Sequence, residues 1–124
     1  MIEHEQTITE TEWIMYVVIN EGVIIDDSNY IPRVEYIIKK CKESKKNRIL
    51  VDTSAADRKV SVLKLYEGIK MLPKMDIGGF KIALVTPKFV HHEDSRFVEN
   101  VAFNNGLFIK YFPDKDTALE WLLK

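Results

Sequence analysis

RILVDTSAADRKVSV, residues 48–62, decides the fold. Arg48 to Asp52 is a short apolar run with little alternation, which suits a strand buried on both faces, as parallel strands between helices are. Thr53 to Lys59 then reads as a loop. Ser61 can cap a following helix with its hydroxyl, and Val62, Leu65, Ile69 and Leu72 set one apolar side of that helix. Pro73 and the Gly78-Gly79 pair close it.

The same theme repeats downstream. FKIALV at 80–85 is a second inner strand, followed by Thr86-Pro87 and a helix from about Glu93 to Asn104. Phe97, Val98, Val101 and Ala102 keep helical spacing there, and Asn105-Gly106 is a good helix exit. Leu107 to Phe112 forms the last strand, and Asp114 caps a closing helix carrying Ala118, Trp121 and Leu122. Upstream, Ile31, Val34, Ile37, Ile38 and Cys41 mark an amphipathic helix. Asp26 to Asn29 offer caps for it, and Pro32 suits its first turn. Lysines 39, 40, 42, 45 and 46 crowd its end, where positive charge complements the dipole. WIMYVVIN at 13–20 is strand-like. After the Glu21-Gly22 break, Val23 to Ile25 resumes, which suggests a hairpin with the preceding run, and Gln6 to Thr11 offers a further edge strand. Strands alternating with helices force parallel pairing and right-handed crossovers. The expected fold is therefore α/β, a central mixed and mostly parallel sheet of four to five strands packed by about four helices.

Bulk properties agree with one domain over residues 1–124. The chain is 46% hydrophobic and 30% charged, with a formal net charge of −1. So balanced a charge provides no global field for phosphate backbones or anionic lipid, so no nucleic-acid partner is expected. Cys41 is the single cysteine, which fits a reducing compartment. The first thirteen residues are acidic and polar, unlike a secretory leader, and no apolar run approaches the roughly 20 residues that span a bilayer. A cytoplasmic chain without an integral membrane segment is the expectation.

RILVDTSAADRKVSV, GGFKIALVTP, FVENVAFNNGLFIKYF and the closing DKDTALEWLL together resemble the SpoIIAA-like branch of the STAS superfamily. The likeness covers about Ile49 to Leu123 and reaches the first strands only by topology. It implies the same mixed sheet. Some domains of that superfamily antagonise anti-sigma factors and are switched by phosphorylation of a serine where a strand passes into a helix; others bind nucleotides or lipids. In the switch proteins D-S-S-G opens the helix after the Asp-ending strand. Here Asp57-Arg58-Lys59-Val60-Ser61-Val62 stands in that region, and Ser61 matches only by position.

The edge from Asp52 to Ser61 is the leading site, because the carboxyl ends of parallel strands present their loops to one common rim. Asp52, Thr53, Ser54, Asp57, Arg58 and Ser61 are its candidate binding or phospho-switch residues. A phosphate on Ser61 would meet free helix N–H groups with Arg58 and Lys59 beside it; the simpler role for Ser61 is an N-cap. Asp26, Asp27, Asp52, Thr86 and Lys110 follow the residue order of a response-regulator receiver. Their spacing does not, since one helix alone separates Asp27 from Asp52. His91, His92, Glu93 and Asp94 cluster, yet adjacent residues on a helix diverge and no further ligand completes a tetrahedral zinc set. Cys41, on an apolar stripe, reads as a small buried hydrophobe. Trp13, Trp121, Phe108 and Phe112 read as core rather than as a pocket lining.

With no triad, phosphate loop or metal motif, the expectation is a non-catalytic regulatory module, without cofactor, that engages a protein partner through the Asp52–Ser61 edge and the helix that follows it. The alternative is a small protein of Sec14-like type holding an apolar ligand or lipid between helices and sheet, which an apolar pocket of ~300 Å³ or more would favour. A self-paired edge strand or helix face would give a homodimer.

Overall fold

The computed structural model describes residues 2–90 and 92–124. In chain order the elements are a 3₁₀ turn (Ile2–His4), β1 (Gln6–Glu10), β2 (Met15–Ile19), β3 (Ile24–Asp26), α1 (Tyr30–Glu43), β4 (Arg48–Asp52), β5 (Asp57–Lys59), α2 (Val62–Met71) running into a 3₁₀ turn (Leu72–Met75), β6 (Lys81–Val85), α3 (Glu93–Asn104), β7 (Phe108–Phe112) and α4 (Lys115–Leu122). The main sheet has the order β1-β2-β4-β6-β7. β1 and β2 are antiparallel, and every later pairing is parallel. The α/β class, the five mixed strands and the four helices are as expected from the sequence.

Two-sided burial explains the unalternating strands. Ile49 and Val51 of β4, Ile82 of β6 and Tyr111 of β7 enter a large core with α1, α2 and α3. Leu50, Ala83, Val85 and Phe112 point the other way, against Ala118 and Leu122 of α4. Three helices cover one face and a single short helix covers the other. Asp114 starts that helix by accepting the Thr117 N–H at 2.9 Å. Among the described residues no helix is long and apolar enough to cross a membrane.

Three local expectations are corrected. The segment at Val23 to Ile25 does not form a hairpin with β2, because both edges of β2 are already taken, by β1 and β4. Gly22, at φ +82°, turns the chain away. β3 pairs instead in parallel with β5 as a separate two-stranded sheet. Residues 53–59 are accordingly not all loop, since 57–59 are strand. Two of the aromatics expected in the core are also exposed: Trp13 lies outside β2, and Phe108 sits on the edge strand β7 and meets Phe103 edge-on at 6.5 Å. Phe112 and Trp121 do pack together, 5.5 Å apart.

Because α4 alone closes its face of the sheet, Leu122→Ala should lower unfolding stability by about 2–5 kcal/mol. Val18→Ala lies on the same face beyond the reach of α4, with the side chain 42% exposed, and should change stability by no more than about 0.5 kcal/mol. Urea titration of both variants checks this; equal effects would mean that α4 is not seated as described.

Candidate functional site

The trailing ends of β4 and β6 carry the rim, and the structure divides the six candidate residues into four groups. Asp52 and Ser54 satisfy one another: the Asp52 carboxylate accepts the Ser54 N–H at 2.9 Å and the Ser54 hydroxyl as well. Asp57 faces solvent and meets Lys59 at 3.4 Å, an exposed pair of little energetic consequence. Ser61 is the N-cap of α2, its hydroxyl accepting the Lys64 N–H at 3.1 Å. Thr53 and Arg58 turn inward.

Ser61 has a neighbour that sequence reasoning placed elsewhere. Its backbone N–H donates to the Asp27 carboxylate at 2.8 Å. That bond holds the Asp27 carboxyl below its ordinary value. The loop before α1 is thereby tied to the start of α2, and a carboxylate stands at this helix N-terminus, where the dipole favours negative charge. The receiver-like set does not assemble. Asp26 and Asp27 lie beside the small β3–β5 sheet, Thr86 lines the interior under α1 to α3, and Lys110 lies on the opposite face, beside Phe112.

Thr53 and Arg58 wall two spaces at once. Outside is an open cleft of about 440 Å³ bordered by Gly22, residues 53–58 and 86–89. Inside is an apolar cavity of about 100 Å³ between the sheet and α1, α2 and α3, lined by side chains such as Val51, Ile82, Leu84, Val98 and Ile109. Thr53, Arg58 and Thr86 line both and form the partition between them. The loop is anchored by Gly22 N–H to Ala55 O and Asp57 N–H to Val23 O, at 3.3 and 2.8 Å.

The Arg58 guanidinium lies 4.4 Å from the centroid of the Phe89 ring and 6.0 Å from that of Tyr111, and those two rings meet edge-to-face at 4.9 Å. Desolvation pushes the Tyr30 and Tyr111 phenols up, against the opposing charge of Arg58, so both stay neutral donors at physiological pH. Tyr30 lies over α2 at Gly68, where a Cβ would come within 2.9 Å of its ring. Glycine is needed there for clearance.

Arg33, buried on α1, gives Nη2 to Glu5 at 2.9 Å and Nη1 to Gln6 at 3.2 Å. Sequence reasoning passed over Arg33, Tyr30, Phe89 and Tyr111. A signal existed for the first, which stands four residues before Ile37 and so on the buried face of the helix.

Other candidates resolve locally. His92 caps α3, its Nδ1 accepting the Asp94 N–H at 3.1 Å, while His91 lies outside the described residues. Among the described residues no group of three or more His, Cys, Asp or Glu side chains could hold a metal ion. Cys41 is buried against Met15, and burial pushes its thiol up to about 12, leaving it protonated and inert.

A mixed five-stranded sheet with three helices on one face, one on the other and an antiparallel leading hairpin is a SpoIIAA-like fold. It is similar over 94% of this chain, at a TM-score of 0.56 and 17% identity, to the crystal structure of an uncharacterized protein of the DUF3478 family with a SpoIIAA-like fold from Shewanella loihica PV-4, of which 91% is covered. The sequence matches no protein-family model and no curated protein.

Asp27 gives the rim a pH dependence. A lowered folded-state value means that its contact with Ser61 stabilises fully above the unfolded value of about 3.9 and is lost as pH falls through the folded value. Wild type should therefore exceed Asp27→Asn in urea midpoint at neutral pH, with the gap closing below about pH 4. Ser61→Ala should cost about 1 kcal/mol at neutral pH, as loss of an N-cap.

Proposed function

We propose that this chain is a non-catalytic regulatory interaction module that contacts a protein partner through the rim at residues 53–58 and 86–89. The observation that carries the reading is the open cleft there, bordered by the exposed residues Ser54 and Ala55 on a loop pinned at both ends and by Pro87 and Lys88 on the segment after β6. A pinned loop loses little conformational entropy when a partner covers it. The SpoIIAA-like fold supports the same reading, since the rim gathers at the carboxyl ends of its parallel strands.

Within this reading Ser61 is structural. A phosphoryl group on it would stand beside the Asp27 carboxylate, and like charges in contact repel. Partner contact falls instead to Ser54, Ala55, Asp57 and the outer side of Arg58.

A photo-crosslinking side chain placed at Ala55, in the protein expressed in its own cells, should capture a defined protein. The same probe at Val18 should not, and Ala55→Arg should abolish the partner's co-purification with otherwise wild-type protein. The proposal fails if probes at both positions yield the same products, or if Ala55→Arg leaves the partner bound.

A second reading, a binding protein for a small apolar ligand, rests on the apolar lining of the interior cavity. At about 100 Å³ it is well below the ~300 Å³ of ordinary ligand pockets, so its occupant would be small.

A further inference from the structure

Two side-chain polar groups among the described residues are buried and unpartnered, the Thr86 hydroxyl and Arg33 Nε, and both belong to residues that line the interior cavity. Their residues are 4% and 3% exposed. Buried polar groups are ordinarily hydrogen-bonded, and leaving one unsatisfied costs about 1–3 kcal/mol. The backbone of Thr86 is satisfied, its N–H by Phe112 O and its carbonyl by the N–H groups of Phe89 and Val90, so the hydroxyl alone is left without a partner.

Charge adds a second, independent observation. Arg33 is neutralised by Glu5, whereas no carboxylate of the described residues pairs with Arg58. Arg58 lies instead over the Phe89 and Tyr111 rings, which offer no anion. A half-buried guanidinium without a counter-charge, beside neutral phenols and an unused hydroxyl, is a donor set for an anion. Behind it lies a lining that is almost wholly aliphatic. Donors at the partition and hydrocarbon beyond describe an amphipathic guest.

We propose that the cavity is a binding site for a small monocarboxylic acid, its carboxylate on Arg58 and Thr86 and its short aliphatic tail among Val51, Ile82, Leu84 and Ile109. The volume limits the tail: a cavity of ~150 Å³ accepts benzene, so ~100 Å³ accepts roughly four carbons. A carboxylate matches the planar fork of a guanidinium, and the partition shared with the outer cleft places that head near solvent. The inference deepens the small-ligand reading and does not depend on the protein-partner rim.

The test is methyl-resolved NMR titration of the full chain with isobutyrate and, as the uncharged match, isobutanol, following the Val51, Ile82, Leu84 and Ile109 methyls. Isobutyrate should shift these signals in a saturable way and bind more tightly than isobutanol. Arg58→Gln should weaken isobutyrate about ten- to hundredfold, the loss expected for a charge-assisted hydrogen bond, while leaving isobutanol unchanged; Arg58→Lys should recover part of it. Ile109→Phe, filling the cavity with Arg58 intact, should abolish both. Equal binding of acid and alcohol, or no effect of Arg58→Gln in a variant with the wild-type methyl spectrum, overturns the carboxylate assignment and leaves the small-ligand reading standing. If neither probe moves the cavity methyls, both fall together.

Discussion

The structure depends on covering β4 and β6 from both sides. These two central strands have parallel neighbours on each edge and helices above and below, so nearly every side chain they carry must be apolar. Two such strands side by side oblige the chain to cross over between them with helices, and a right-handed crossover settles on which face each helix lands. α4 is then required rather than ornamental. Without it Leu50, Ala83, Val85 and Phe112 would lie open to water, and burial of such side chains contributes about 1.5–3 kcal/mol each.

The same layering makes the rim polar. Where the strands end, the chain must turn within a few residues, and turns favour groups that bond their own backbone. Asp52 with Ser54, Asp26 with Ser28 and Asn29, and Ser61 with Lys64 each do this. The short β3–β5 sheet closes the end of the core over α1 and α2. Its strands come from either side of α1 and β4 in the sequence, and Arg58 pairs with Ile25, which is buried in the apolar core. A charge delivered into such surroundings has to be held by something, and the aromatic faces of Phe89 and Tyr111 hold it.

Three helices side by side on one face do not fill the space beneath them completely. The cavity they leave lies just inside the partition of Thr53, Arg58 and Thr86. Rim and cavity are therefore one continuous feature, with solvent on one side of those three residues and hydrocarbon on the other. In this SpoIIAA-like fold, built without a D-S-S-G sequence, an interior cavity and an outer cleft thus share the same three side chains.

By itself the sequence determined the layers. Apolar runs such as RILVD and FKIALV, the helical spacing of Ile37, Ile38 and Cys41, and caps such as Ser61 and Asp114 depend on neighbours a few residues apart, and local physics is written in order along the chain. It also put Thr53 and Arg58 on the stretch that follows β4, although Arg58 lies on β5 and not in a loop. Only the tertiary structure decided that β3 pairs with β5, because that choice turned on which edges of β2 were already occupied. Only folding brought Asp27 to Ser61, Arg33 to Glu5, and Arg58 to Phe89 and Tyr111, pairs separated by roughly 30 residues or more. Contacts of that length arise from where the crossovers set the helices down, and no periodicity along the chain encodes them.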